Sequence, residues 1–135
     1  MGRVLAVDPG SVRVGLAVSD PLRISAQPLD VVPSDTAVEE IARLCQELEV
    51  EEIIIGLPRT EAGVEGESAA RARNLAAALE DRTGLEVTPI DERYTTRMAE
   101  QVMIDAGVRR RRRRQSVDKV AAAVLLQGYL DGGAR

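Results

Sequence analysis

The sequence predicts an α/β domain: a mixed five-stranded sheet with helices on its faces. Three observations predict it. Three β-favouring runs open the chain with only short turns between them, so they pair antiparallel. Two later apolar runs are each reached across a helical stretch, so they enter the sheet as crossovers and lie parallel to a neighbour. The 135 residues, 44% hydrophobic and 30% charged, suit one domain spanning residues 1–135 and argue against disorder as the main state.

The first strand is Arg3-Val-Leu-Ala-Val-Asp8, ended by Pro9-Gly10. Val12 to Ser19 alternates loosely, carries Gly15 and reads as the returning strand. Ile24 to Val32 is a third extended run; Pro28 interrupts it, which predicts an edge position, and Pro33 ends it. Thr36 and Glu39 have capping-box spacing before an amphipathic helix with Val38, Ile41, Ala42, Leu44, Cys45 and Leu48 on its apolar face. Glu52-Ile-Ile-Ile-Gly56 is a continuous apolar strand, of the kind covered on both faces. A polar loop, Arg59 to Gly66, leads to an Ala-rich helix over Glu67 to Thr83, stopped by Gly84. Leu85 to Ile90 is the fifth strand. A helix to about Asp105 follows, capped by Thr95 or Thr96. Arg109 to Arg114 reads as a loop, and Ser116 as the cap of a last helix that buries Val117, Val120, Ala121, Val124 and Leu125.

Composition removes several chemistries. With no histidine, Ser-His-Asp triads, imidazole ligands and imidazole acid–base catalysis are excluded. One cysteine, Cys45, excludes a disulfide framework and a Cys-based zinc site. Two tyrosines without Phe or Trp make a base-stacking platform a poor expectation. The longest apolar runs, such as Val120 to Leu126, are far too short to span a membrane, and Asp8 interrupts any leader-like stretch. The expectation is a cytoplasmic protein without a membrane partner.

The net charge of −4 conceals two regions of opposite sign. Residues 109–135 hold seven Arg and one Lys against Asp118 and Asp131, a net +6, while residues 1–108 carry a net −10. Six of the basic residues are consecutive: Arg109, Arg110, Arg111, Arg112, Arg113 and Arg114. Such a run can serve solubility alone. It can equally neutralise phosphates, and the choice of Arg, whose guanidinium fork fits a phosphate, favours the second use.

Four acids could do chemistry. Asp8 closes the first strand, at a rim where α/β sheets bind ligands. Asp91 and Glu92 end the last strand, and Asp118 stands in the final helix. Singly, each has an ordinary role as a turn or helix-start acid. Together they read differently. If the final helix crosses near the end of the first strand, Asp118 meets Asp8. Gathered carboxylates raise one another's pKa unless a cation intervenes, and carboxylates alone suit Mg2+ or Mn2+. Two such ions about 4 Å apart would clamp the attacking and leaving oxygens of a phosphodiester.

Four stretches carry a resemblance. They are Leu5-Ala-Val-Asp-Pro-Gly10 with Val14-Gly-Leu-Ala-Val-Ser19; Ile55-Gly-Leu-Pro58; Asp91-Glu-Arg-Tyr-Thr-Thr96; and the Arg run leading into Ser116-Val-Asp-Lys-Val-Ala-Ala122. In this order they resemble the YqgF/RuvX family of pre-16S rRNA nucleases, which has a ribonuclease H-like fold. The resemblance implies a metal-dependent nuclease acting on precursor rRNA, or on branched DNA such as Holliday junctions. It implies Asp8, Glu92 and Asp118 as the catalytic acids, with Asp91 among the metal ligands and Arg93 and Thr95 in support. Related resolvases carry an acid at the end of the fourth strand, where this chain reads Gly56-Leu57-Pro58. The middle ligand then falls to Glu92 or to Glu61, Glu65 or Glu67. Arg13, in the first turn, is a candidate phosphate contact, as are Arg109 to Arg114. A two-fold junction would favour a homodimer, although no interface is marked in the sequence.

Two other readings compete. A non-catalytic RNA-binding factor for ribosome maturation would need the Arg run and not the acids. An actin-like phosphotransferase would need two such domains around its nucleotide, more than 135 residues supply.

Overall fold

A computed structural model describes residues 2–57, 66–91 and 110–132, with the backbone alone for 110–118. In chain order the elements are β1 (Arg3–Pro9), β2 (Arg13–Ser19), β3 (Ala26–Pro33), α1 (Ala37–Glu47), β4 (Val50–Leu57), α2 (Glu67–Thr83), β5 (Val87–Asp91) and α3 (Arg110–Leu130). The strands form one sheet in the order β3-β2-β1-β4-β5. β1, β2 and β3 pair antiparallel, while β4 pairs parallel to both β1 and β5. This is the mixed sheet that the turn lengths and helical crossovers predict.

The edge position of β3 follows from Pro28, which has no N–H to give. Pairing slips there: Leu16 faces Asp30 and Ala17 faces Pro28, so Leu29 is a bulge residue. β1 and β4 sit centrally and are covered on both faces, which is why they are apolar without alternation. Leu5, Val7, Leu16, Ile53 and Ile55 belong to the core under α1 and α2. Val4, Ala6, Ala17 and Ile54 belong to a second core with Ala122, Leu125 and Leu126 of α3. Leu126 is fully buried there, so Leu126→Ala is expected to cost about 2–5 kcal/mol, read as a lower urea midpoint at unchanged m-value.

α2 ends as expected, with Gly84 left-handed at φ 73°. The Thr36 capping box does not form. A 3-10 turn over Ser34–Thr36 runs directly into α1, and the Ala37 N–H already donates to the Ser34 carbonyl. Glu39 instead accepts from Arg82 of α2 at 3.0 Å, and that guanidinium holds its carboxyl below the usual range. Cys45 is on the buried face of α1, and desolvation pushes its thiol up to about 11. A native chain should therefore resist a thiol reagent at pH 8 and react only when unfolded in guanidinium; labelling within minutes in the native state would contradict this burial.

The final helix corrects two expectations. The Arg run is not a loop from Arg110 onward: α3 begins at Arg110, and Ser116 lies inside it rather than capping it. Arg is a good helix former, and the apolar segment downstream anchors the helix that the Arg residues extend. Its buried face is also rotated. Ala121, Ala122, Leu125 and Leu126 are buried, while Val120 and Val124 are half-buried. The expected helix ending near Asp105 lies outside the described residues, as does the loop between β4 and α2.

Polar contacts at one end of the molecule fix the direction of α3. Gln127 accepts from the Ala26 N–H at 3.0 Å and donates to the Ile24 carbonyl at 3.2 Å. Tyr129 donates to Glu52 at 2.8 Å, and Glu52 also pairs with Arg23 at 3.0 Å. These partners lie where β3 and β4 begin. The C-terminal end of α3 is therefore at the rim where β1 and β4 start, and α3 runs antiparallel to β1. Among the described residues, no helix is long and apolar enough to cross a membrane.

Candidate functional site

Asp8 is one of two buried polar or charged residues among those described, only 7% exposed. Its position is set by the turn that follows. A Cβ at Gly10 would stand 2.5 Å from the Arg13 carbonyl oxygen, so only glycine allows this close return. Ser34 holds the turn from outside: its hydroxyl donates to the Gly10 carbonyl at 3.0 Å and its N–H to the Val12 carbonyl at 2.9 Å. The sequence reading passed over Ser34. Its one signal is a hydroxyl residue directly after the breaker Pro33, where the chain must leave the sheet.

Strand alternation decides the face. Val4 and Ala6 belong to the core under α3, so Asp8, next in that series, lies on the α3 face. Its partner on β2 is Gly15. On the other side Val7 pairs with Ile55, which brings Gly56 level with Asp8. Neither neighbour carries a side chain. Small residues continue inward as Ala6 and Ala17, which share a core with Ala122 of the helix. Small against small lets the α3 backbone lie close to the sheet on this side.

The helix directs the position of the second acid toward the same rim. Ala121, Ala122, Leu125 and Leu126, all buried, stand three, four, seven and eight residues beyond Asp118. Those are the spacings of one helical face, so position 118 falls on the same face of α3. From Ala122 back to Asp118 the helix advances about 6 Å toward its N-terminus. From Ala6 to Asp8 the strand advances about 6.6 Å in the same direction. Because α3 runs antiparallel to β1, position 118 lies on the stretch of helix directed toward the rim where β1 ends with Asp8.

The remaining candidates divide. Asp91 is exposed at the end of β5. It alternates with Val87 and Pro89, which line a cavity of about 230 Å³ with Ala72 and Ala76 of α2, so it lies on the face opposite Asp8. Arg13 shares the α3 face with Gly15 and Ala17, diagonal to Asp8 across the β1–β2 ladder, and is exposed. Glu67 opens α2 and is exposed. Arg110 to Arg114 form the first turns of α3. Glu92, Arg93, Thr95, Arg109, Glu61 and Glu65 lie outside the described residues. Among the described residues, no three Cys, Asp or Glu side chains cluster as a metal site.

Comparison with known proteins follows the same lines. The family described as RuvX, Holliday junction resolvase, matches residues 2–132. A protein of Lactococcus lactis subsp. cremoris named as a pre-16S rRNA nuclease is 42% identical over 137 residues, covering 98% of this chain and 96% of its own. One of Pelotomaculum thermopropionicum with the same name is also 42% identical, covering 98% of this chain and 89% of its own. Among solved structures, Thermus thermophilus RuvC in complex with a Holliday junction substrate superposes with a TM-score of 0.64 at 16% identity, covering 100% of this chain and 99% of that one. That likeness shows the fold, which is ribonuclease H-like.

Proposed function

The chain belongs to the RuvX, Holliday junction resolvase, family, and from that premise we propose that it is a divalent-metal-dependent nuclease whose substrate is precursor 16S rRNA, trimmed at its 5′ end. The names of its 42% identical relatives favour rRNA over branched DNA. What supports the site is helical register: position 118 stands three, four and seven residues before the buried Ala121, Ala122 and Leu125 of α3, the helix that covers the β1 face on which Asp8 lies.

The donor set suits a hard cation. Asp8 is a buried carboxylate at a strand end, the chain has no histidine, and its one thiol is on the buried face of α1. Oxygen ligands remain, which fits Mg2+ or Mn2+. Asp8, Asp118 and Glu92 would hold the ion; the opposite face of Asp91 counts against that acid. When bound, such an ion supplies an activated water and neutralises charge at the phosphorus.

The chain's own residues do the rest. β1 and the Ser34-held turn fix the Asp8 carboxylate before substrate arrives, so little ordering is left for the moment of reaction. Gly15 and Gly56 keep side chains away on either side of it. Arg13 is placed to meet a phosphate beside the one under attack. The arginines of α3 hold the strand by its backbone, consistent with a protein nearly without aromatics to stack on bases.

The test is incubation of labelled precursor rRNA and of a four-way DNA junction with the protein in Mn2+, Mg2+ or chelator. Metal-dependent shortening of the precursor is expected, with none in chelator. Resolution of the junction with the precursor left whole would assign branched DNA instead. Tight RNA binding with no cutting in either metal would leave a maturation factor without nuclease activity.

A further inference from the structure

We infer that the turn between β2 and β3 is a docking tip for another protein: Leu22 and Ile24, with the carboxylates of Glu51 and Asp131 beside them, receive a basic polypeptide segment that carries apolar side chains. The tip lies at the rim where β1 and β4 begin, away from the end of β1 that carries Asp8.

The turn is built inside out. Arg23 is left-handed at φ 59°, a conformation unfavourable for a residue with a Cβ. Its charged side chain turns inward: Nε donates to the Gly2 carbonyl at 2.7 Å, and the guanidinium pairs with Glu52 at 3.0 Å. The residues on either side of it face water, and Leu22 and Ile24 are each 66% exposed. Bonds from both flanks hold this form. The Asp20 carboxylate accepts from the Ile24 and Ser25 N–H groups at 2.8 and 2.9 Å, and its carbonyl accepts from the Arg23 N–H at 3.0 Å. Gln127 of α3 donates to the Ile24 carbonyl at 3.2 Å. A turn needed only for solubility would put the arginine outside and hide the aliphatic side chains. Two neighbouring apolar side chains fixed in water this way mark a contact surface.

Charge selects the partner. Glu51 lies against Gly2, where no Cβ would fit, and so stands beside the Arg23 bond to the Gly2 carbonyl. Asp131 accepts from Gln127 at 3.1 Å, the same side chain that holds Ile24. Both acids are exposed. Two described bases at this rim are engaged already: Arg23 with Glu52, and Arg3 with the Leu48 carbonyl at 3.4 Å. The last described turns of α1 and α3 also end here without a basic residue, so their dipoles add negative charge. Such a rim repels a phosphate backbone and attracts lysine and arginine. A basic segment with aliphatic residues between its charges satisfies both parts of the tip at once.

The probe is a short fluorescein-labelled peptide of alternating lysine and leucine, with a lysine–serine peptide as its counterpart; binding is read by anisotropy. The wild-type chain should bind the leucine peptide about tenfold more tightly or better, a difference of about 1.4 kcal/mol and less than one fully buried aliphatic side chain contributes. L22S/I24S should abolish that preference. E51Q/D131N should weaken both peptides and flatten their salt dependence. Independently of any variant, amide shifts of the 15N-labelled wild-type chain on adding the leucine peptide should centre on residues 20–25, 51 and 131. No binding, shifts centred on another face, or a preference unchanged in L22S/I24S would overturn the inference. So would a wild-type dimer in sedimentation that L22S/I24S dissociates, because the tip would then belong to a second copy. None of these readouts involves RNA cleavage, so the nuclease reading stands or falls separately.

Discussion

Asp8→Asn is expected to lower metal-dependent cleavage by about a thousandfold or more while the domain still folds. The size follows from what is removed. Charge neutralisation and water activation at phosphorus amount to several kcal/mol, and each 1.36 kcal/mol is a factor of ten. Asn has nearly the shape of Asp and can keep neutral hydrogen bonds, but it is a poor ligand for a hard cation. The buried position at the end of β1 is therefore preserved, and the melting temperature should move by no more than about 5 °C. Asp91→Asn provides the contrast. Asp91 also ends a strand, yet β5 presents it on the α1 and α2 face. Its substitution should reduce cleavage far less than Asp8→Asn. Cleavage by Asp8→Asn at the native rate would remove the acid site; equal losses in both variants would show that both acids serve it.

Much of this arrangement can be read from residue order. Pro28 marks the edge strand because a missing N–H cannot be hidden in a central one, and the bulge at Leu29 is how the sheet accommodates it. The unbroken apolar run in β4 announces a strand covered twice. Gly84 stops α2 where a left-handed residue is needed. What failed was local chemistry overruled by neighbours. Thr36 and Glu39 have capping-box spacing, but the preceding 3-10 turn supplies the first acceptor and Arg82 takes the glutamate. The phase of α3 was off by one residue. Val120 and Val124 are larger than Ala121 and Ala122, so hydrophobicity alone points at the valines. The structure buries the alanines instead, with Ala122 in one core with Ala6 and Ala17. The parity that separates Asp8 from Asp91 depends on which face each helix covers, and topology fixes that where composition does not.

Replacing all six residues from Arg109 to Arg114 by serine is expected to abolish useful binding at moderate salt. Each phosphate neutralised on a single strand contributes about 0.7 to the slope of log affinity against log salt. Six contacts would thus contribute about 4, which corresponds to a loss of about three-hundredfold in affinity between 50 and 200 mM salt. The variant should show weak binding with a nearly flat salt dependence. The helix itself argues that this charge faces a ligand. A helix N-terminus carries partial positive charge, and acids are the residues that complement it. α3 has none in its first turn and starts with consecutive arginines, an arrangement its own dipole opposes. A run kept only for solubility would sit at lower cost near the other end of the helix or in a loop. Under the nuclease reading, the compensating negative charge at this end would be that of a bound phosphate backbone. Unchanged affinity and slope after the sixfold replacement would show that the grip lies elsewhere and leave the arginines as surface charge.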